Sequence, residues 1–316
     1  MNNNRGWVLY TLLLVLFWGV WGAFSSLPTE LYGYPDEMIY IIWALTMLVP
    51  CYFALRGVPL DRRPTAAVYG LLIGLTGAGG QLLLFQALTI GPAYLIFPVI
   101  SISPAVTVLL ALVLLRERTS RLGTVGIAAA LIAIILFSIS DTSVDAAAGS
   151  WLLLAILIAL AWGVQAFLMK KASSLGVNDG SIFAYMTLSG LLLIPLALAT
   201  MPGSGFDFPW QAPALTTLTQ LLNAVGALFL VMALSRGKAV IVAPSTNALA
   251  PVLTIALSLV FYNTLPSLFS GVGMALALAG STLMVYTEEK RSARSAPPEA
   301  EEPGPVATSP RQQRSR

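Results

Sequence analysis

Apolar residues run along this chain in long blocks separated by short polar gaps, and ten such blocks precede a change of composition after Tyr286. They fall at Trp7 to Phe24, Met38 to Leu55, Ala66 to Thr89, Ala93 to Leu115, Leu122 to Ile139, Trp151 to Met169, Ser181 to Leu198, Ala214 to Leu234, Ala239 to Phe261 and Leu268 to Tyr286. Each is close to the ~20 residues a helix needs to cross the hydrocarbon core, and a helix satisfies its own backbone there. The pattern predicts an all-α membrane protein with ten transmembrane helices. The first block, about 27 Å long at the standard helical rise, is long for a signal core and is read as a retained span. After Tyr286, residues 287–316 turn to Pro, Ala, Ser, Glu and Arg and read as a disordered cytoplasmic tail.

Charge gives these spans a direction. All 17 Lys and Arg residues lie in every second gap: Arg5, then Arg56 to Arg63, Arg116 to Arg121, Lys170 and Lys171, Arg236 and Lys238, and the tail from Lys290. The gaps between hold no cation, and those around Glu30 and Asp141 are acidic. Because Lys and Arg beside helix ends stay on the cytoplasmic side, the alternation predicts ten crossings of the cell membrane with both termini in the cytoplasm. A composition of 57% hydrophobic and 10% charged residues fits no ordinary soluble domain, and a net charge of +3 made of topological cations leaves no nucleic-acid footprint. The lone cysteine, Cys51, can form no intrachain disulfide, and the absence of histidine removes the usual metal ligand and proton shuttle, so no cofactor or metal is expected.

The chain also repeats itself. Trp18, Gly19 and Val20 recur as Trp162, Gly163 and Val164 at an offset of 144, and Ala87, Leu88, Gly91 and Pro98 recur as Ala233, Leu234, Gly237 and Pro244 at 146. Pro104 and Gly126 match Pro251 and Gly273 at 147. Order and near-constant offset carry the inference, since apolar segments share a small alphabet. The division is residues 1–144 and 145–286, five spans each. An odd number makes the second repeat inverted, the architecture of carriers that alternate access to a midplane site. With both repeats in one chain, a monomer suffices.

The order of the first half, a Trp-Gly pair, then Ala87-Leu88, Pro98, Pro104, Leu115-Arg116-Glu117 and a small-residue fifth span from Gly123 to Gly126, resembles the EamA-type permeases of the drug/metabolite transporter superfamily. The resemblance covers about residues 7 to 286 and implies two five-helix repeats that transport a small organic solute. The second half departs from it where Tyr262-Asn263-Thr264 stands in place of the Glu117 motif.

No Asp, Glu, Lys or Arg lies at the middle of a predicted span. A charge there is costly and marks a proton relay or counter-ion, so the expected solute is neutral or zwitterionic, with amino acids and related compounds as candidates, and proton coupling is expected to be weak. Candidate substrate-binding residues are Trp18, Trp21, Gln81, Tyr94, Ser101, Trp162, Gln165, Asn223 and Asn247, with Pro98 and Pro244 as helix kinks along the pathway. Tyr94, Pro98 and Ser101 share one helical face, as do Val240, Pro244, Asn247 and Pro251. Against each stands a plainer role: an indole packs between helices, and an amide in a span makes an interhelical hydrogen bond. Glu117 is expected to belong to a charge cluster that fixes topology or latches a helix end. An alternating-access carrier, an exporter or exchanger, is the expected function, with a channel or a membrane receptor or scaffold as alternatives. A chain without histidine or paired carboxylates at depth offers an enzyme little to work with.

Overall fold

The computed structural model describes residues 6–90, 99–100, 102–139, 150–201, 207–262 and 267–295, and these are helical with short connections. In order they form α1 (Gly6–Phe24), α2 (Leu27–Tyr32), α3 (Asp36–Thr46), α4 (Leu48–Leu55), α5 (Pro64–Ile90), α6 (Ser103–Val113), α7 (Arg121–Ile139), α8 (Ser150–Ser174), α9 (Asp179–Leu192), α10 (Ile194–Thr200), α11 (Gln211–Arg236), α12 (Ala239–Tyr262) and α13 (Leu268–Ser295). Six stretches are long and apolar enough to cross a bilayer: Gly6–Tyr32, Asp36–Leu55, Pro64–Leu84, Trp151–Ser174, Asp179–Thr200 and Gln211–Arg236. Shorter apolar helices, Ser103–Val113, Arg121–Leu136, Ala239–Thr254 and Gly271–Thr287, complete the set. The chain is a multi-pass membrane protein.

Two stretches that the hydrophobic pattern joins are broken in the middle. The second is interrupted at Met47, between α3 and α4, and the seventh at Leu193, between α9 and α10. Pro50 and Pro195 stand just beyond these breaks, 145 residues apart. A proline lacks the N–H for the ladder and its ring presses on the carbonyl four residues earlier, so each helix restarts there. At the other extreme α13 runs nine residues past Tyr286, to Ser295. The run Thr-Glu-Glu-Lys-Arg-Ser-Ala-Arg is polar yet composed mostly of good helix formers, and Lys290 lies over the Tyr286 ring at 5.7 Å.

Exchange of the two repeats maps the packing onto itself. Helix α1 packs on α11 and α12, while α8 packs on α5 and α6; α9 lies against α5 as α3 does against α11. The pairs α7 with α13 and α6 with α12 map onto themselves. The tightest of these is the α7/α13 seam. A Cβ on Gly126 would stand 2.8 Å from the Gly280 carbonyl, and one on Gly280 would stand 2.7 Å from the Gly126 carbonyl. Side-chain hydrogens at both positions let the backbones touch, which is how membrane helices associate without a hydrophobic drive between them.

Candidate functional site

Two tryptophans tie the repeats together at mid-span. Trp18 on α1 donates its indole N–H to the Asn223 carbonyl on α11 at 3.2 Å, and Trp162 on α8 donates to the Gly77 carbonyl on α5, also at 3.2 Å. Gly77 and Asn223 are 146 residues apart, the offset of that part of the repeat, so these are one contact made twice. Glycine makes both possible. A Cβ at Gly80 would sit 2.5 Å from the Trp162 nitrogen, and its counterpart Gly226 faces the Trp18 indole as closely.

A second mirrored pair lies beside the first. Thr254 on α12 donates to the Gly19 carbonyl at 3.0 Å, and Thr107 on α6 donates to the Gly163 carbonyl at 3.0 Å. Thr107 and Thr254 are 147 apart, as are Pro104 and Pro251 one turn earlier. Pro251 stands inside α12, where it leaves the Asn247 carbonyl without its usual helical donor.

These bonds ring a cavity of about 380 Å³ between the repeats, within the roughly 300–1,000 Å³ of ligand-sized pockets. Trp18, Trp21, Gln81, Trp162, Gln165, Asn223 and Asn247 all line it. Pro244 lies within α12 but off the wall, and Tyr94, Pro98 and Ser101 lie outside the described residues. Trp43, Ser103, Thr107, Met186 and Thr254 line it as well and are not singled out by the sequence. For the threonines a signal existed, the 147-residue offset they share with the two prolines. Four of the seven tryptophans face this space, and none of the described residues that line it is ionisable.

The amides differ in what they already hold. Asn223 donates to Gln220 Oε1 at 3.3 Å, and Asn247 donates to the Ala243 carbonyl at 3.0 Å. Gln81 and Gln165 have no hydrogen-bond partner among the described residues.

Charged groups gather instead at the end of the bundle that carries the Lys and Arg residues. Helix α6 closes with Arg116 in the left-handed region, φ 53°, and the Glu117 N–H bonds back to the Ala111 carbonyl at 3.1 Å. That bond reaches back six residues, one more than a Schellman closure, and holds arginine in the left-handed region where glycine is usual, a conformation costing about 1 kcal/mol or more. It places the Glu117 carboxylate on the N-terminus of α12, where it accepts from the Ala239 N–H at 3.2 Å and the Val240 N–H at 3.0 Å. Glu117 thus caps a helix of the other repeat, satisfying two orphan donors and meeting the positive end of its dipole. Lys170 donates to the Gly237 carbonyl at 2.5 Å, Lys238 to the Arg118 carbonyl at 3.2 Å, and Arg236 pairs with Asp179 at 2.6 Å. In the 56–63 loop Arg63 bonds both Asp61 and the Gly176 carbonyl, and its hydrogen bonds hold the Asp61 carboxyl below the usual carboxylate range.

Two family matches fall on the two repeats, residues 5–139 and 149–286, both to the EamA-like transporter family. The chain belongs to that family. It is therefore a membrane transporter of small solutes, set in lipid. A 134-residue stretch is 27% identical to an uncharacterised protein of Methanocaldococcus jannaschii, covering 97% of that protein and 42% of this chain. That relative is about one repeat long. A solved crystal structure superposes with a TM-score of 0.74 at 19% identity, covering 91% of this chain and 99% of the other, and shares the fold.

Proposed function

We propose that this transporter is a secondary carrier that crosses the cell membrane ten times, as two inverted five-helix repeats with both termini in the cytoplasm. It moves a small neutral or zwitterionic metabolite by alternating access, as an exporter or exchanger, and one chain suffices. The observation that supports this most is the cavity between the repeats, ringed by hydrogen bonds that occur in mirrored pairs and lined, among the described residues, by no ionisable group. A site on a pseudo-two-fold axis can open to either side by exchanging the conformations of two similar units, which is the mechanical requirement of alternating access. A cavity without charge holds a solute whose own charges are absent or internally balanced, because an unpaired ion there would stay uncompensated.

Purified protein in liposomes, loaded and screened with labelled metabolites, tests the proposal. Saturable counterflow of a neutral or zwitterionic compound is expected, with no uphill accumulation on imposing a pH gradient. Conductance far above carrier turnover would replace the carrier with a channel, and proton-driven accumulation would overturn the uncoupled mechanism. Cysteines introduced at Glu30 and Trp210 in a Cys51→Ala background should react with an impermeant thiol reagent from outside the cell, and those at Arg62, Ser120 and Ser173 only after permeabilisation. The reverse pattern at any one position would break the inverted arrangement.

A further inference from the structure

The cavity is symmetric in its helices and unsymmetric in its chemistry. Taking the repeat offsets of 144 for the first spans and 146 for the third, Trp21 and Gln165 occupy equivalent places, and so do Gln81 and Ala227. All four line the cavity. Because α5 packs on α8 and α1 on α11, the mirror brings Gln81 and Gln165 to one wall and Trp21 and Ala227 to the wall opposite. One wall therefore carries two primary amides with nothing to bind among the described residues, and the other an indole and a methyl group. The only amide on the α1/α11 wall, Asn223, is already engaged by Gln220.

We infer that the solute is amphipathic and enters in a fixed orientation, with an uncharged head that both donates and accepts hydrogen bonds, as a primary carboxamide does, held by Gln81 and Gln165, and a flat apolar body against Trp21. Each glutamine offers one carbonyl acceptor and two N–H donors, so a head with both functions satisfies both side chains, whereas a purely accepting or purely donating head leaves some of their groups bare. A site whose buried polar groups are left unpaired rejects the analogue that lacks the matching group far more strongly than an apolar pocket rejects a missing methylene. A carboxylate head is disfavoured for a separate reason, the absence of any cation among the described residues of the wall. On the opposite wall Trp21 gives a broad face for a planar body, and its buried indole N–H, without a partner among the described residues, is a single donor where Gln165 at the equivalent place offers both donor and acceptor.

The inference rests on the cavity being the solute site, and three probes that share one body test it: indole-3-acetamide, indole-3-acetate and 3-methylindole, titrated into the purified full chain in detergent. Indole-3-acetamide should bind at least tenfold more tightly than either of the others. Gln165→Leu and Gln81→Leu should bring the ratio of amide to 3-methylindole affinity towards one without lowering the melting temperature, since neither glutamine gives up a protein hydrogen bond. Trp21→Leu should weaken the amide and 3-methylindole by similar factors and keep their ratio. Equal binding of carboxylate and amide, a ratio unmoved by both glutamine substitutions, or no binding of the amide to folded protein would each overturn the inference. Counterflow in liposomes separates this outcome from the carrier proposal: amide selectivity that depends on the glutamines without any flux removes the carrier and keeps the orientation. Flux of a solute indifferent to both glutamines does the reverse.

Discussion

At mid-span the tryptophan and threonine hydrogen bonds that join the repeats around the cavity come as twins: Trp18 with Trp162, Thr254 with Thr107. At the cationic end the Glu117 cap on α12 stands in contrast, because the residues at its repeat offsets, Asn263 and Thr264, are uncharged and no acid occurs between Asp207 and Glu288. A contact made twice favours neither of two states that exchange the conformations of the repeats. One made once shifts their balance by whatever it is worth. Under the proposed alternating access these twinned bonds are indifferent to direction, and the Glu117 carboxylate on a helix end supplies a bias. A charge-assisted bond to backbone N–H groups is worth about 1.5–3 kcal/mol, enough to move such a balance tenfold or more.

The strongest way to break the mirror is to crowd it. Gly80→Leu and Gly226→Leu each put a side chain where a tryptophan indole lies, and overpacking of this kind costs about 1–3 kcal/mol. Both variants should melt several degrees lower and lose at least about tenfold of flux per folded molecule. Near-equal effects are expected from the two. A variant tolerated at one glycine and ruinous at the other would show that the tryptophans are twins in sequence and not in role.

Next in size is the Glu117 cap, which has no twin. Glu117→Ala removes a cap worth about 1–2 kcal/mol, and Glu117→Gln keeps an acceptor while losing the charge. Ala243 lines the cavity one turn from the capped end of α12, so a cysteine there, with Cys51 replaced by Ala, reports access from that side. Its reaction with a thiol reagent added to the cationic face should quicken about tenfold in Glu117→Ala and less in Glu117→Gln. An unchanged rate would mean that the cap merely finishes a helix.

The sequence was open about some of this and closed about the rest, for physical reasons. Amides and tryptophans are conspicuous in an apolar span because nothing about a bilayer favours them at depth, so Gln81, Gln165 and the two repeat tryptophans stand out in the pattern and come together in space. Threonine is inconspicuous. Its hydroxyl bonds back within its own helix at many places in this chain, as at Thr11 and Thr187, so nothing local separates Thr107 and Thr254, which reach across, from those that do not. Trp43 has leucine, Leu188, at the 145-residue offset of its span, and so a search for repeated residues passes over it. The destination of Glu117 was illegible because it binds backbone N–H groups, which leave no trace in the residue types of α12. The paired breaks at Pro50 and Pro195 were legible at an offset of 145 and are the repeat's plainest mark in the second and seventh spans.

Smaller effects sharpen the comparison. Trp18→Phe and Trp162→Phe keep most of the ring and delete one N–H bond, leaving a carbonyl that helical neighbours still serve. Each should cost about 0.5–1.5 kcal/mol, and the two should agree within error. If the Trp18 change alone alters apparent affinity for the solute, the indole on the α1 wall touches the solute and its twin does not.

The smallest expected effect lies with the threonines, and it distinguishes a mirror of helices from a mirror of atoms. Valine preserves the β-branched shape, so Thr254→Val and Thr107→Val remove a hydroxyl and little else. Hydrogen bonds between membrane helices average about 0.6 kcal/mol, which corresponds to a fall of a few degrees at most in melting temperature. Thr107 also approaches the Ser103 carbonyl at 3.4 Å, so its hydroxyl divides itself between two acceptors, while Thr254 is described with Gly19 alone. Thr254→Val should therefore be the slightly more costly of the two, measured by melting curves in the same detergent. Should Thr107→Val prove clearly worse, the symmetry would hold for the placement of α6 and α12 and fail for the bonds they make to the Gly163 and Gly19 carbonyls.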